Sequence, residues 1–285
     1  MQTQAGTLYI VATPIGHLDD ISARAIAVLG SVKYVAAEDT RHSGKLMAHL
    51  GLSVHFLSLH DHNEKQRAAS LLQKLQAGDD VALVSDAGTP LISDPGYAFV
   101  RLCRDAGIKI VPVPGACALI SALCCAGLPT DKFHFIGFLP AKSNQRQQVL
   151  RDIPAGVGTL ICYEAARRIH DTLHDVIAVY GEARELVLAK ELTKTFEAFV
   201  PGTAAQIMQW LDEDPQRCQG EMVLMIAPEA AKADDEIPPA ALRTLTLLMA
   251  ELPLKKAAAL TAEIHDLKKN ALYKVGLTLS GESAL

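Results

Sequence analysis

The densest group of reactive side chains is the run Ser85-Asp86-Ala87-Gly88-Thr89-Pro90-Leu91-Ile92-Ser93-Asp94-Pro95-Gly96. It follows an apolar run and precedes a helical pattern. Its carboxylates suit a cation, its hydroxyls and backbone groups suit a polar ligand tail, and Gly88 permits close approach. Asp94 is placed to cap the next helix, with Pro95 in its first turn. Glu38-Asp39-Thr40-Arg41-His42 offers an acid, a base and an anion clamp, or else a salt-bridged helix start. His60-Asp61-His62-Asn63-Glu64 contains an H-x-H pair without further ligands at metal spacing, so it reads as polar contacts to a substrate and no metal is assigned. Two quieter turns are Thr13-Pro14-Ile15-Gly16-His17-Leu18-Asp19-Asp20, whose acids suit helix initiation, and Val113-Pro114-Gly115-Ala116-Cys117-Ala118. The small side chains after the second turn leave room for a flat ligand, or equally pack tightly on a sheet.

Familiar nucleotide signatures fail. Gly44-Lys45 is followed by Leu46 where a P-loop needs Ser or Thr, and Asp39 stands where its first Gly belongs. Gly156-Val157-Gly158 runs into a strand pattern and lacks the third glycine of the dinucleotide fingerprint. There is no G-x-S-x-G elbow.

These turns must be held by something, and the chain supplies an α/β alternation. Strands are expected at 7–13, 32–37, 54–59, 81–85 and 108–112, with helices at 21–29, 64–76 and 96–106. Each strand ends in one of the polar or Gly/Pro-rich turns, where parallel sheets bind ligands. A small-residue helix over 116–126 ends at Gly127-Leu128-Pro129, and the pattern then changes. A second α/β unit with some antiparallel pairing follows, with strands at 133–138, 158–163, 186–189 and 221–226 and helices at 145–151, 165–179 and 203–211. The expected division is an α/β domain over 1–118, a second over 119–230, a linker over 231–240 and a helical segment over 241–285. In the last, patterns at 254–264 and 270–279 flank a turn, the outline of a helix-turn-helix or of a capping helical hairpin.

Composition agrees with a globular chain of about two domains: 285 residues, 49% hydrophobic and 21% charged. A net charge of −5 excludes a chain-wide nucleic-acid coat but leaves a local basic face. One such face is the C-terminal end, where Lys255, Lys256, Lys268, Lys269 and Lys274 outnumber the acids. Six cysteines form no C-x-x-C pair and match no zinc spacing, which fits a reducing cytoplasm. No signal peptide and no membrane span is expected.

Taken together and in order, LYIVATPIGHLDDIS, AAEDTRHSGKL, LHDHNE, VALVSDAGTPLISDPG, VPGACALISALCCAGLP, FHFIGFLPAKSNQR, YEAARRI, AKELTKTFE and GEMVLMIAPE resemble the tetrapyrrole methylase family of S-adenosylmethionine-dependent methyltransferases. They resemble in particular its ribosomal branch. Three positions depart from that pattern: His17 for Asn, Ala116-Cys117 for Pro-Ser, and Ala166-Arg167 for Pro-His. Thr13-Pro14-Ile15-Gly16 replaces the G-x-G-P-G-D-P turn of corrin-pathway members, which favours RNA over a corrin.

The resemblance implies two α/β domains with the cofactor cleft between them, a homodimer, and a C-terminal segment related to helix-turn-helix modules. It implies methylation of the ribose 2′-hydroxyl of a decoding-region cytidine in 16S ribosomal RNA, on the 30S subunit. Carried onto matching positions, it assigns S-adenosylmethionine to Pro14, Asp86, Ala87, Gly88, Ser93, Asp94, Gly115, Ala116 and Cys117, with Tyr163 and Lys190 from the second domain. Asp39, His60 and Glu38 are the candidates for taking the hydroxyl proton. Arg24, Arg41, Asn63, Lys142, Arg146, Arg167 and Arg168 are expected to face RNA. The competing functions are a small-molecule methylase acting on a tetrapyrrole and a non-enzymatic RNA-binding assembly factor.

Overall fold

The computed structural model describes residues 4–60, 64–154, 156–229 and 237–280. In chain order the first elements are β1 (Thr7–Val11), α1 (Ala23–Ser31), β2 (Tyr34–Ala37), α2 (Thr40–His49), β3 (Phe56–Ser58), α3 (Glu64–Gln76), β4 (Val81–Val84), α4 (Tyr97–Asp105), β5 (Lys109–Val113) and α5 (Ala118–Cys125). The five strands make one parallel sheet in the order β3-β2-β4-β1-β5. All four residues of β4 are buried, because helices cover both faces of a central parallel strand. Alternation along the strands sends Leu8 and Leu83 to a core with Leu71, Leu75, Phe99 and Cys103 of α3 and α4. Val11, Val35 and Val84 go to the other face with Ala25 and Leu29 of α1 and Met47 of α2.

The chain continues through β6 (Phe133–Phe138), α6 (Ser143–Asp152), β7 (Thr159–Ala165), α7 (Ile169–Tyr180), β8 (Glu185–Lys190), β9 (Ala198–Thr203), α8 (Ala204–Asp212) and β10 (Glu221–Ile226). These strands form a mixed sheet, β6-β7-β10-β8-β9, in which only β6 and β7 run parallel. Leu150, Ile169, Leu173, Ile207 and Leu211 of α6, α7 and α8 bury one face. The other face is buried by α5: Leu119, Ala122 and Leu123 pack on Ile161, Val187, Val223 and Met225. Thus α5 leaves the first sheet and covers the second.

Both sheets fall in one compact unit, Met1–Ala227, and Pro228–Leu285 forms another. In the second unit α9 (Pro239–Met249), α10 (Leu254–His265) and α11 (Lys269–Leu279) surround a core of Ala241, Leu245, Ala257, Ala258 and Leu272. Only two of these three helices are visible in the sequence pattern. Of the expected linker, residues 231–236 lie outside the described residues.

Two local expectations are corrected. Asp19 and Asp20 do not start the first helix; they close a single 3-10 turn. α1 begins after Ser22, whose Oγ accepts the Ala25 N–H at 3.1 Å. The strand β9 escapes the sequence reading because Pro201 and Gly202 signal a loop. At the sheet edge a missing N–H costs little, so the strand tolerates them.

Candidate active site

All five parallel strands discharge their loops at one end of the first sheet, and these loops are bonded to one another. Thr13, beyond β1, exchanges backbone bonds with Gly88, beyond β4, at 2.9 and 3.0 Å. Thr89 Oγ1 donates to the carbonyl of Ala116, beyond β5, at 3.0 Å. The N–H of Asp39, beyond β2, donates to Asp86 Oδ1 at 3.0 Å. Glu64, at the start of α3, accepts the Phe99 N–H of the first turn of α4 with Oε1 at 3.1 Å. The 85–96 loop is therefore tied to the segments beyond β1, β2 and β5.

Between this loop and strands β6, β7 and β10 lies a cavity of about 390 Å³, of ordinary size for a small-molecule site. Asp86, Ala87, Gly88, Ser93, Asp94, Cys117 and Tyr163 stand in its wall. Pro14, Gly115, Ala116 and Lys190 do not; Lys190 is buried in β8, paired in register with Met222. The sequence reading missed Ile92, Phe138, Glu164, Leu192 and Met222, which also line it. Their segments were conspicuous, but nothing in a linear pattern aims them at a shared space.

The wall contains Asp86, Asp94, Glu164 and Glu221 and no Lys or Arg among the described residues. Glu164 is spent on Thr172, the Ala165 N–H and Arg168, and Glu221 on Lys194. Asp86 and Asp94 remain to face a cation. Asp94 does not cap α4: Gly96 takes that position at φ 126°, without a side-chain cap bond. The loop instead turns Asp94 inward through left-handed Leu91 (φ 72°) and Ser93 (φ 70°), a conformation costing roughly 1–3 kcal/mol per residue and typical of ligand sites. Burial, reinforced by the Asp86 charge and partly offset by a Ser85 hydrogen bond, raises the Asp94 carboxyl to about 6. Across the cavity, the Tyr163 hydroxyl accepts the Leu119 N–H at 3.1 Å, and burial pushes its titration up, so it stays neutral.

Residues 7–208, which carry both long walls of this cavity except for β10, match the family Tetrapyrrole (Corrin/Porphyrin) Methylases. The chain belongs to that family. Residues 235–280 match the RsmI C-terminal HTH domain. Proteins named ribosomal RNA small subunit methyltransferase I are 56% identical in Escherichia coli O157:H7, over 97% of this chain and 96% of theirs, and 51% identical in Pseudomonas aeruginosa, over 98% and 99%. Solved structures of the family share the fold. The methyltransferase CobJ superposes with a TM-score of 0.59 at 19% identity, over 82% of this chain and 98% of that one. A uroporphyrin-III C-methyltransferase of Thermus thermophilus, complexed with S-adenosylhomocysteine, gives 0.54 at 16%, over 78% and 97%.

In this tetrapyrrole methylase the other expected site residues are spread around the loop end. Glu38, Asp39 and His60 lie at the ends of β2 and β3 and do not line the cavity. The Asp39 carboxylate is clamped by Arg41, Nη2 at 2.8 Å and Nε at 3.1 Å, which holds its titration well below the usual carboxylate range. Arg24, Arg41 and Lys142 are exposed, and Asn63 lies outside the described residues.

Arg146 and Arg168 do not fit an RNA-facing surface. Arg146 is 2% exposed, its Nε donates to Asp175 at 2.6 Å, and Nη1 reaches the carbonyls of Pro140 and Ala141. Arg168 donates to the carbonyls of Leu139 and Pro140 and pairs with Glu164 at 3.3 Å. A guanidinium offers five donors in a rigid fork, and here they organise a turn instead of a ligand. Arg167, in the 3-10 turn 166–168, is exposed.

Among the described residues no three His, Cys, Asp or Glu side chains gather as a metal cluster, and no helix is long and apolar enough to cross a membrane.

Proposed function

We propose that this chain transfers a methyl group from S-adenosylmethionine to the ribose 2′-hydroxyl of a cytidine in the decoding region of 16S ribosomal RNA. It does so on the 30S subunit, in the cytoplasm, as a homodimer. The observation that carries the chemistry is the cavity at the strand ends, whose wall holds the carboxylates of Asp86 and Asp94 and, among the described residues, no Lys or Arg. Near full-length likeness to small-subunit ribosomal RNA methyltransferases carries the substrate class. The homodimer rests on the family resemblance, and the cytoplasm on six free thiols.

The donor set fits the cofactor: a sulfonium and an ammonium group are matched by Asp86 and Asp94, and its polar tail by the backbone of Ala87 and Gly88. When bound, S-adenosylmethionine supplies an electrophilic methyl group. The remaining work is the protein's. Closing two walls around both reactants supplies alignment, for which well-oriented reactions gain roughly 7–11 kcal/mol. Excluding water suits a step in which unlike charges cancel. Of the three groups proposed to accept the hydroxyl proton, Asp39 is a weak base because Arg41 stabilises its anion, which favours His60 or Glu38. Arg24, Arg41, Lys142, Asn63 and the C-terminal lysines are proposed to meet phosphates.

The test is incubation with radiolabelled cofactor and either 30S particles or naked 16S RNA, followed by mapping of the labelled ribose. Label on one cytidine ribose of the particle is the expected result. Label on a tetrapyrrole acid and none on RNA overturns the proposal.

A further inference from the structure

Phe138 is 55% exposed while lining the cavity wall, so its ring is open both to the cavity and to solvent. The backbone has been shaped to put it there. β6 is the edge strand, and its register with β7 slips between Phe135, opposite Ile161, and Phe138, opposite Tyr163. Three steps on one strand face two on the other, which is a β-bulge. Gly137 takes the left-handed turn within it at φ 64°. Bulges at sheet edges re-aim a side chain, and this one turns Phe138 toward the cavity. A Cβ on Gly137 would stand 3.4 Å from Ser93 Oγ, so the bulge also abuts the 85–96 loop.

The ring is held and not free to wander. It lies edge-to-face on Tyr163, with centroids 5.7 Å apart at 65°, and Tyr163 is pinned through its hydroxyl to Leu119. The carbonyls of Leu139, Pro140 and Ala141, the next three residues, are taken by Arg146 and Arg168. Buried Arg146 and half-buried Arg168 therefore stiffen the turn that connects Phe138 to exposed Lys142.

The geometry points to Phe138 as the platform on which the target nucleobase stacks, holding its ribose at the cavity mouth, with Lys142 on an adjacent phosphate. This rests on the ribosomal RNA reading above and extends it to how the nucleotide is held. Sequence-tolerant recognition of a splayed-out nucleotide is what an aromatic face provides, since every base has one.

The experiment compares Phe138→Ala, Phe138→Leu and Phe138→Trp in the full-length protein. Three quantities are read: cofactor affinity by calorimetry, kcat/KM for 30S particles, and fluorescence quenching of a stacking-sensitive cytidine analogue at the target position of a 16S RNA fragment. An exposed side chain is replaced, and thermal melts check that the fold is kept. Expected are a fall in kcat/KM of roughly ten- to a hundredfold for Ala and Leu with loss of quenching, a change in cofactor affinity much smaller than that fall, and near wild-type values for Trp. Cofactor affinity falling in step with activity would assign Phe138 to the cofactor and overturn the inference. So would a Leu variant as good as Trp, or an Ala variant that still quenches. Phe138-dependent quenching without ribose methylation by the wild type would leave the platform standing and sink the 2′-oxygen assignment alone.

Discussion

Asp86 Oδ1 accepts the backbone N–H of Asp39 at 3.0 Å, joining the loop beyond β4, which walls the cavity, to the loop beyond β2, where the proton-accepting candidates lie. In the proposed function one carboxylate serves two purposes, a charge for the ligand and an acceptor for the neighbouring loop. The two separate in variants. Asp86→Asn keeps the acceptor and loses the charge, so cofactor affinity falls while the melting temperature holds. Asp86→Ala loses both, and the orphaned N–H costs about a further 1 kcal/mol of stability. Calorimetric titration and thermal melts check the pair; equal stability of the two variants would contradict the tether.

Asp94 predicts a pH dependence. Its carboxyl titrates at about 6 in the fold against the ordinary 3.8, chiefly through burial. The sign follows from linkage: a raised group stabilises the fold below about pH 3.8 and loses that contribution as the pH rises through 6. A cationic ligand prefers the ionised form, so cofactor affinity should climb from about pH 5 to pH 7. Asp94→Asn should flatten that profile, weaken binding at neutral pH and raise the melting temperature there, with the difference in stability gone near pH 4. Titrations across this range decide it.

Arg146 predicts a stability effect and not an RNA effect. Burial works against the Asp175 anion, but hydrogen bonds from Gln147, Ser143 and Arg146 outweigh it and hold its titration low. Removing Arg146 strands that carboxylate, so Arg146→Ala should cost about 3–5 kcal/mol in urea unfolding. Adding Asp175→Asn should restore part of the loss. A variant with normal stability and weakened RNA binding would return Arg146 to the surface role expected from sequence.

The second unit predicts separable functions. Its three helices have their own core, so a chain ending at Ala227 should keep the first unit's melting transition and cofactor affinity. Without Lys255, Lys256, Lys268, Lys269 and Lys274 its affinity for 30S particles should fall, and the dependence of binding on salt should become shallower. Binding measured at several salt concentrations tests this; an unchanged slope would take these lysines off the RNA.

Most of the cavity's first wall was legible in the sequence. Ser85 to Gly96 announced itself because a buried strand needs only a short turn to leave a sheet, and twelve polar and glycine-rich residues exceed that need. The opposite wall was legible only in part. Tyr163 was reached through resemblance, whereas Phe138, Glu164 and Met222 belong to strands whose inward faces depend on register, and a bulge of one residue changes which side chain points where. Arg146 and Arg168 read as surface charge because their partners are distant in sequence: Asp175 lies 29 residues from Arg146, and the carbonyls of Leu139 and Pro140 lie 29 and 28 residues from Arg168. No local pattern records such a pairing across a fold.

Local chemistry alone determined the α/β alternation, the polar turns at the strand ends and the basic C-terminal helices, since each depends on side-chain periodicity and backbone preferences within a few residues. Tertiary structure alone decided that α5 crosses to the second sheet, that Asp94 turns inward instead of capping a helix, and that Phe138 stands at the cavity's edge. Those outcomes are set by which surfaces meet, because burial, charge compensation and strand register are properties of contacts between segments far apart in the chain.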